Sequence, residues 1–126
     1  MTYTETDLTR DRSEDVFVVE RPWGSFQQFT SGEPVTVKTI TVEPGHRLSL
    51  QTHGHRAEMW HVLEGELDIV IDDRSWTAER GEMIWVPCGA VHRMGNSSDR
   101  TARILEIAFG PFDESDIVRL QDDYAR

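Results

Sequence analysis

The chain has 126 residues, enough for one domain with a single hydrophobic core but not for two catalytic domains. Asp and Glu outnumber Lys and Arg by 23 to 13, and the formal charge of −10 opposes non-specific binding to nucleic acids and to anionic membranes. No apolar run approaches the roughly 20 residues that span a bilayer, and the polar, acidic N-terminus lacks the apolar stretch of a secretory signal. We therefore expect a cytoplasmic protein whose partner is a small molecule, with no nucleic-acid or membrane partner.

Along the chain, residues 1–14 are rich in Thr, Asp, Glu and Arg and contain few large apolar side chains, so they cannot offset the entropy of ordering by themselves. They predict a flexible acidic arm, followed by a single domain over residues 15–126. From Val16 onward, short segments rich in β-branched and aromatic residues alternate with turn signals roughly every 8 to 12 residues, which predicts an all-β sandwich or barrel. Apolar residues at helical spacing within 114–124 predict one short C-terminal helix.

A group of metal-binding residue types lies around the predicted strand LSLQTH. Gln51 and His53 are two residues apart and therefore share one face of a strand, and Glu58 on the next predicted strand can project to the same interior. His92 lies well downstream on another predicted strand. Imidazole nitrogen combined with amide and carboxylate oxygen suits Zn, Mn, Fe, Co or Ni better than Ca or Mg, which prefer oxygen ligands alone. We expect one divalent transition metal, with zinc as the first choice.

The glycines, histidines and acids of this region follow two spaced motifs, and with them the chain resembles the cupin superfamily. The first motif matches Gly45, Gln51, His53, Glu58 and Gly65, with Gln51 in place of a histidine, and the second matches Gly81, Pro87, Gly89, His92 and Asn96. The resemblance implies a double-stranded β-helix, which is a form of jelly-roll barrel. It also implies that the metal is bound by Gln51, His53, Glu58 and His92.

A closer resemblance covers roughly residues 20–126. The segments RPWGSF, PGHRLSLQTHGHRAEMW, VPCGAVHR and DIVRLQDDYAR are similar to the cupin domain of type II mannose-6-phosphate isomerases, which is often fused to a GDP-mannose pyrophosphorylase. The Gln-x-His pair is the form that phosphomannose isomerases use where other cupins have His-x-His. The resemblance implies a metal-dependent interconversion of mannose 6-phosphate and fructose 6-phosphate.

Such an aldose–ketose isomerisation proceeds through an enediol and needs a Lewis acid, a base and a group that holds the phosphate. His55 is the nearest imidazole outside the ligand set, and imidazole exchanges protons readily near neutral pH. We therefore predict His55 as the base. Lys38 shares a predicted strand face with Ile40 and Val42. It is the second predicted catalytic residue, with the role of holding the phosphate.

Four further side chains flank the motifs and are predicted to bind substrate. Arginine can hold phosphate through two parallel hydrogen bonds, and an aromatic face can pack on a sugar. The four are Arg21, Arg56, Arg93 and Trp60.

Two other functions remain open. The same barrel can hold a metal and a sugar or sugar phosphate without turnover, and a metal-dependent oxygenase is a third possibility, although Gln51 in place of histidine argues against it. Cupins are commonly dimers, and the acidic arm before Val16 can pair across an edge strand, so we expect a homodimer.

Overall fold

The computed structural model describes residues 11–110 and 115–124, and this part of the chain folds almost entirely as β-structure. A 3₁₀ turn over Arg12–Asp15 precedes eleven strands. The strands are β1 Phe17–Arg21, β2 Gly24–Gln28, β3 Val35–Val42, β4 Leu50–Thr52, β5 Ala57–Glu64, β6 Glu66–Ile71, β7 Arg74–Glu79, β8 Met83–Val86, β9 His92–Gly95, β10 Ala102–Phe109 and β11 Val118–Gln121.

Two antiparallel sheets enclose the core. One sheet has the strand order β3-β10-β5-β8, and the other has the order β11-β4-β9-β6-β7. Buried apolar residues from both sheets form one cluster, in which Ile104 and Val62 of the first sheet join Ile69 and Met94 of the second. The all-β double-stranded β-helix expected from the two motifs is therefore confirmed.

The barrel interior changes character from one end to the other. Along β5 the inward residues are Glu58, Trp60 and Val62, and along β10 they run from Ala108 through Glu106 to Ile104. The end at Val62 and Ile104 is apolar and closes the barrel. The end at Glu58, which we call the mouth, carries polar side chains.

Gly65 shows why a motif position requires glycine. It adopts a φ of 71° in the turn between β5 and β6, which L-residues with a side chain rarely adopt. A Cβ atom there would lie 2.8 Å from the carbonyl oxygen of Thr101. The tight turn is thus fixed both by backbone conformation and by close packing.

The short C-terminal helix predicted over residues 114–124 is wrong for the part that the structure describes, because residues 118–121 form strand β11. This strand pairs with β4, with Val118 opposite Thr52 and Arg119 opposite Gln51. The exposed edge of β4 supplies backbone hydrogen bonds, and this pairing outweighs a helical spacing of only three apolar residues. Residues 111–114 lie outside the described part.

Residues 1–10 of the predicted arm lie outside the described residues. The remainder of that arm begins at Asp11, whose side chain accepts a hydrogen bond from the backbone N–H of Ser13 at the start of the 3₁₀ turn. Arg12 is buried at 4% exposure, forms a salt bridge with Glu33 and lies over the ring of Phe109. This end of the predicted arm is therefore packed on the barrel.

The remaining sheet is the β1-β2 hairpin, which pairs with no other strand in the part of the chain that the structure describes. Trp23 at its turn is 73% exposed. Within the described residues, no helix is long and apolar enough to cross a membrane.

Candidate metal centre

Two neighbouring segments bring the motif residues to the mouth of the barrel. Strand β4 ends at Thr52, a short loop follows, and β5 begins at Ala57, so that His53 and Glu58 lie at either end of one connection. Gln51 on β4 is directly opposite His92 on β9. Directly opposite residues of antiparallel strands project to the same face, so Gln51 and His92 share the barrel interior.

Three of the four predicted ligands surround one point. The distance from Glu58 Oε2 to His53 Nε2 is 3.6 Å, and that from Glu58 Oε1 to His92 Nε2 is 3.7 Å. The donor atoms of these three residues all lie within 4.8 Å of one another, and each side chain is about 3% exposed. A single cation placed among them can therefore bind two imidazoles and a carboxylate.

Hydrogen bonds select the imidazole tautomer that a metal requires. His53 Nδ1 lies 2.7 Å from the carbonyl oxygen of Asp116, and His92 Nδ1 lies 3.0 Å from that of Ala90. A carbonyl oxygen only accepts, so both Nδ1 atoms carry the hydrogen and both Nε2 atoms present a lone pair. His92 Nε2 is buried and has no hydrogen-bond partner among the described residues. This orphaned acceptor fits a metal ion.

The electrostatics of His92 favour the same state. Burial lowers the pKa of His92 below its ordinary value, and this effect exceeds the opposing attraction of Glu58. The imidazole is accordingly neutral near pH 7, and only neutral imidazole can coordinate a metal.

Trp60 and Arg56 orient the carboxylate between the histidines. Trp60 Nε1 donates to Glu58 Oε1 at 3.2 Å, and its ring meets the ring of His92 edge-on. Arg56 Nε donates to Glu58 Oε2 at 3.2 Å, and its NH2 group donates to His53 Nε2 at 3.1 Å. Since Nε2 of a neutral imidazole has one lone pair, the hydrogen bond from Arg56 and a bond to a metal exclude each other.

Asp116 fixes the loop that carries His53, a role that our sequence reasoning missed. Its carboxylate accepts hydrogen bonds from the backbone N–H groups of Gly54 and His55, while its carbonyl oxygen accepts from His53. Burial raises the pKa of Asp116, but the two backbone donors and the nearby histidines outweigh it and hold the pKa below its ordinary value. Asp116 begins the DIVR segment, so the signal was present without an assigned role.

The other predicted site residues occupy different places. The side chain of His55 is 66% exposed and its Nδ1 lies 3.5 Å from Asp116, outside the barrel interior. Arg21 lies on the exposed hairpin, where it donates to the carbonyl oxygen of Glu20. Arg93 projects to the opposite side of β9 from His92, and it donates to the carbonyl oxygen of Leu48 and to Gln121. The structure thus brings neither Arg21 nor Arg93 to the ligand group.

Lys38, in contrast, lies in the barrel wall close to the mouth. Strand β3 places it on the inward row with Ile40, directly opposite Glu106 of β10. Glu106 is 6% exposed and is a second functional candidate that our sequence reasoning missed. Its only sequence signal is an acidic residue at an inward position of an otherwise apolar strand.

A cavity of about 380 Å³ lies away from the ligand group, beside Arg47, Arg93 and Asp123. Arg47 and Asp123 form a salt bridge, and the guanidinium of Arg93 binds strand β11. The charged side chains of this cavity therefore already have partners, and the ligand group at the mouth is the better functional candidate.

Comparison with known proteins places this geometry in a family. The profile of the family described as mannose-6-phosphate isomerase C-terminal matches residues 9–122. The alginate biosynthesis protein AlgA of Pseudomonas aeruginosa is 39% identical over 118 residues, covering 93% of this chain and 24% of AlgA. A mannose-1-phosphate guanylyltransferase of Escherichia coli is 38% identical over 109 residues, covering 86% of this chain and 23% of that protein. The chain thus spans about a quarter of the length of these relatives.

Solved structures agree on the fold. A sugar phosphate isomerase of the cupin superfamily from Silicibacter pomeroyi superimposes with a TM-score of 0.59 at 23% identity, covering 71% of this chain and 68% of that one. An oxalate oxidase in complex with glycolate gives a TM-score of 0.62 at 21% identity, covering 68% of this chain and 46% of that one. At these identities the two likenesses establish the cupin fold and no common activity.

Proposed function

Because this chain belongs to the mannose-6-phosphate isomerase C-terminal family, we propose that it is a metal-dependent sugar-phosphate isomerase that interconverts mannose 6-phosphate and fructose 6-phosphate. The observation that carries the proposal is the buried His53–Glu58–His92 group, in which both imidazoles present Nε2 to one carboxylate. Gln51, opposite His92, completes a four-residue ligand set with an amide oxygen. Zinc is the proposed metal, because two imidazoles and two oxygen donors suit it and leave room for a substrate oxygen.

The reaction moves one proton between adjacent sugar carbons through an enediol. A bound divalent metal supplies a Lewis acid that polarises the sugar oxygens at those carbons. The protein holds the ligands for this task, because the carbonyl oxygens of Asp116 and Ala90 fix both imidazole rings and Trp60 fixes Glu58. The apolar closed end of the barrel keeps bulk water from the buried side of the site.

Arg56 is the side chain best placed to hold the phosphate. It is 6% exposed and lies among the ligands, and it loses its bond to His53 once Nε2 of that ring is coordinated. Its NH2 group can then donate to an anionic substrate, in the fork geometry that phosphate prefers. The formal charge of the chain is −10, which disfavours an anionic substrate. The positive charge of this buried guanidinium opposes that effect locally.

A non-catalytic barrel that binds a metal and a sugar phosphate is the second candidate. The observation in its favour is that the ligands are nearly inaccessible, at about 3% exposure, while the imidazole of His55 points outside the barrel. The oxygenase alternative has no specific support, since the oxalate oxidase likeness concerns the fold only.

Metal depletion and reconstitution test the proposal. The protein is stripped with excess EDTA, dialysed, and reloaded separately with Zn, Mn, Fe, Co or Ni, and conversion of mannose 6-phosphate is followed with a coupled fructose 6-phosphate assay. We expect conversion only in reloaded samples, with zinc effective at one ion per chain. Activity that survives complete metal removal would contradict the mechanism. Tight binding of mannose 6-phosphate without conversion identifies the binding module, and oxygen uptake with iron identifies the oxygenase.

We also propose that the protein is a cytoplasmic homodimer. Apolar side chains line the outer face of the four-stranded sheet, where Val37, Ile107, Met59 and Trp85 stand in register across β3, β10, β5 and β8. Val37 is 56% exposed whereas Met59 is 1% exposed, so the accessible part of this row lies at its β3 edge. Most of the surface repels a second copy at a charge of −10, whereas this row carries no charged side chain. Light scattering of the wild type and of Val37→Arg tests it, since the variant should be monomeric.

A further inference from the structure

Glu106 is a buried acid on the inward face of β10. It projects into the barrel at 6% exposure, between an apolar floor and the predicted metal ligands. An acidic side chain at such a position is unusual, because carboxylates are rarely buried unless they are paired.

Strand register fixes the position of Glu106 relative to the ligands. Glu106 stands directly opposite Lys38 of β3 and Trp60 of β5, and the next inward residue of β10, Ala108, stands opposite Glu58. Glu106 is therefore the diagonal neighbour of Glu58, one inward row below the mouth. Diagonal neighbours of this kind are about 7 to 8 Å apart at the backbone. Because Ala108 has only a methyl group, no long side chain of β10 stands between Glu106 and the mouth.

Glu106 is also distinct from the ligand set. The donors that lie within 4.8 Å of one another come from His53, Glu58 and His92, and Glu106 does not belong to that group. Its carboxylate is thus close to the site without being needed to bind the metal. An ammonium at Lys38, directly opposite, balances a carboxylate charge that would otherwise be costly to bury.

We propose that Glu106 is the general base of the isomerisation and that Lys38 positions its carboxylate, an inference that rests on the proposed function. In the forward direction the C2–H bond of the open-chain aldose breaks and its proton passes to a Glu106 oxygen, while the C2 electron pair forms the C1=C2 bond of the enediol. The proton that the aldehyde oxygen O1 gains is the one that O2 loses, and it passes between these adjacent oxygens through a solvent water. The proton on Glu106 then forms the new C1–H bond as the O2–H bond breaks, which gives the ketose and restores the carboxylate.

This assignment differs from the sequence-based prediction of His55 as base. The imidazole of His55 is 66% exposed and faces Asp116 outside the barrel, whereas Glu106 faces the interior beside the ligands. A base must come within about 3 Å of the proton that it removes, directly or through one water. A sugar bound at the metal ligands lies in the barrel interior, so a base that reaches its carbons must also face the interior, as Glu106 does.

The test compares metal-loaded wild type with Glu106→Gln, and uses as the matched control Glu66→Gln, at an exposed residue at the start of β6. Deuterium incorporation at C2 of mannose 6-phosphate in D₂O is measured together with kcat, KM and metal content. We expect Glu106→Gln to keep one metal per chain and a KM within about 3-fold, while kcat and C2 exchange fall by about 10²- to 10⁴-fold, the range typical of a lost general base. Glu66→Gln should match the wild type.

Further variants keep the test decisive. Glu106→Asp retains a carboxylate and should recover part of the exchange if Glu106→Gln folds poorly, as judged by thermal unfolding. Lys38→Met should lower kcat more than Lys38→Arg, which keeps the charge. The assignment is overturned if both Glu106 variants exchange deuterium at C2 at the wild-type rate. It is also overturned if His55→Ala is the only variant that loses this exchange. A metal-loaded wild type with neither exchange nor conversion overturns the proposed function as well, so the two failures are distinguishable.

Discussion

His53 and His92 face the same carboxylate, but the two segments that carry them are held in different ways. The ring of His92 is fixed by the carbonyl oxygen of Ala90, two residues earlier on the same segment. The ring of His53 is fixed by the carbonyl oxygen of Asp116, 63 residues away in sequence, and its Nε2 accepts from Arg56. The carboxylate of Asp116 accepts from the backbone of the loop that follows His53. The segment around His92, which we call the second half of the site, can therefore form from local structure. The segment around His53, which we call the first half, depends on the C-terminal residue Asp116 and on the buried charge of Arg56.

The largest expected effect comes from removing the buried charge that belongs to the first half. Arg56→Met leaves Glu58 without its guanidinium partner at 2% exposure, so we expect the metal-free protein to lose about 3 to 5 kcal/mol of unfolding free energy. Urea unfolding after EDTA treatment measures this loss, with exposed Arg103→Met as the control. Metal should restore part of the loss, because the ion also neutralises Glu58. A loss equal to that of Arg103→Met would contradict the structural role.

A matched pair of aspartates compares the two halves directly. Asp116 uses both oxygens to accept from Gly54 and His55, whereas Asp72 uses one oxygen to accept from Val91 beside the second motif. Asparagine has one acceptor oxygen, so it can replace Asp72 but not Asp116. We expect Asp116→Asn to weaken metal affinity about 10-fold, as is typical of groups that orient a ligand, and Asp72→Asn to change it less than about 2-fold. Competition with a chromogenic chelator measures both, and equal effects would remove the distinction.

The same aspartate predicts a pH dependence that is specific to the first half. Because hydrogen bonds hold the pKa of Asp116 below its ordinary value, its contribution is complete above the unfolded-state pKa of about 3.9 and disappears as the pH falls through the lower folded-state pKa. We expect metal-free Asp116→Asn to be about 1.5 kcal/mol less stable than the wild type at pH 7. This difference in unfolding free energy, measured by urea unfolding, should shrink as the pH is lowered towards pH 3. A difference that grows instead would mean that the pKa of Asp116 is raised in the folded state.

The smallest expected effect concerns the contact between the two halves. Cys88 of the second motif donates a weak hydrogen bond to the carbonyl oxygen of Gly54, at a sulfur–oxygen distance of 3.2 Å. Cys88→Ala should cost only about 0.5 kcal/mol, because thiols are weak donors, and Cys88→Ser should cost less than the alanine variant. Thermal unfolding of the two variants measures the difference. A loss above 2 kcal/mol would mean that this contact holds the halves together.

Sequence reasoning grouped His53, Glu58 and His92, which the structure brings within 4.8 Å of one another, partly through strand spacing and partly through the cupin motifs. Two residues on one strand share a face, and a glycine at a tight turn fixes where the next strand begins, so Gln51 and His53 could be grouped before any fold was known. The terminal strand β11 was missed, since three apolar residues at helical spacing say nothing about the free edge of β4 with which they pair. Asp116 and Glu106 were missed for the same reason, because the residues that Asp116 binds and that Glu106 faces are far away in sequence.

The amino-acid pattern by itself determined the β-class, the turn glycines and the types of atom available to a metal. The tertiary structure alone decided which side of each strand faces the interior, and it placed Arg93 outside the ligand group and Glu106 inside the barrel. It also decided the tautomers of His53 and His92, through carbonyl oxygens that only the folded chain brings within hydrogen-bonding distance. The physical reason is that periodicity and turn propensity act over a few residues, whereas strand pairing, burial and hydrogen bonding join residues that are distant along the chain.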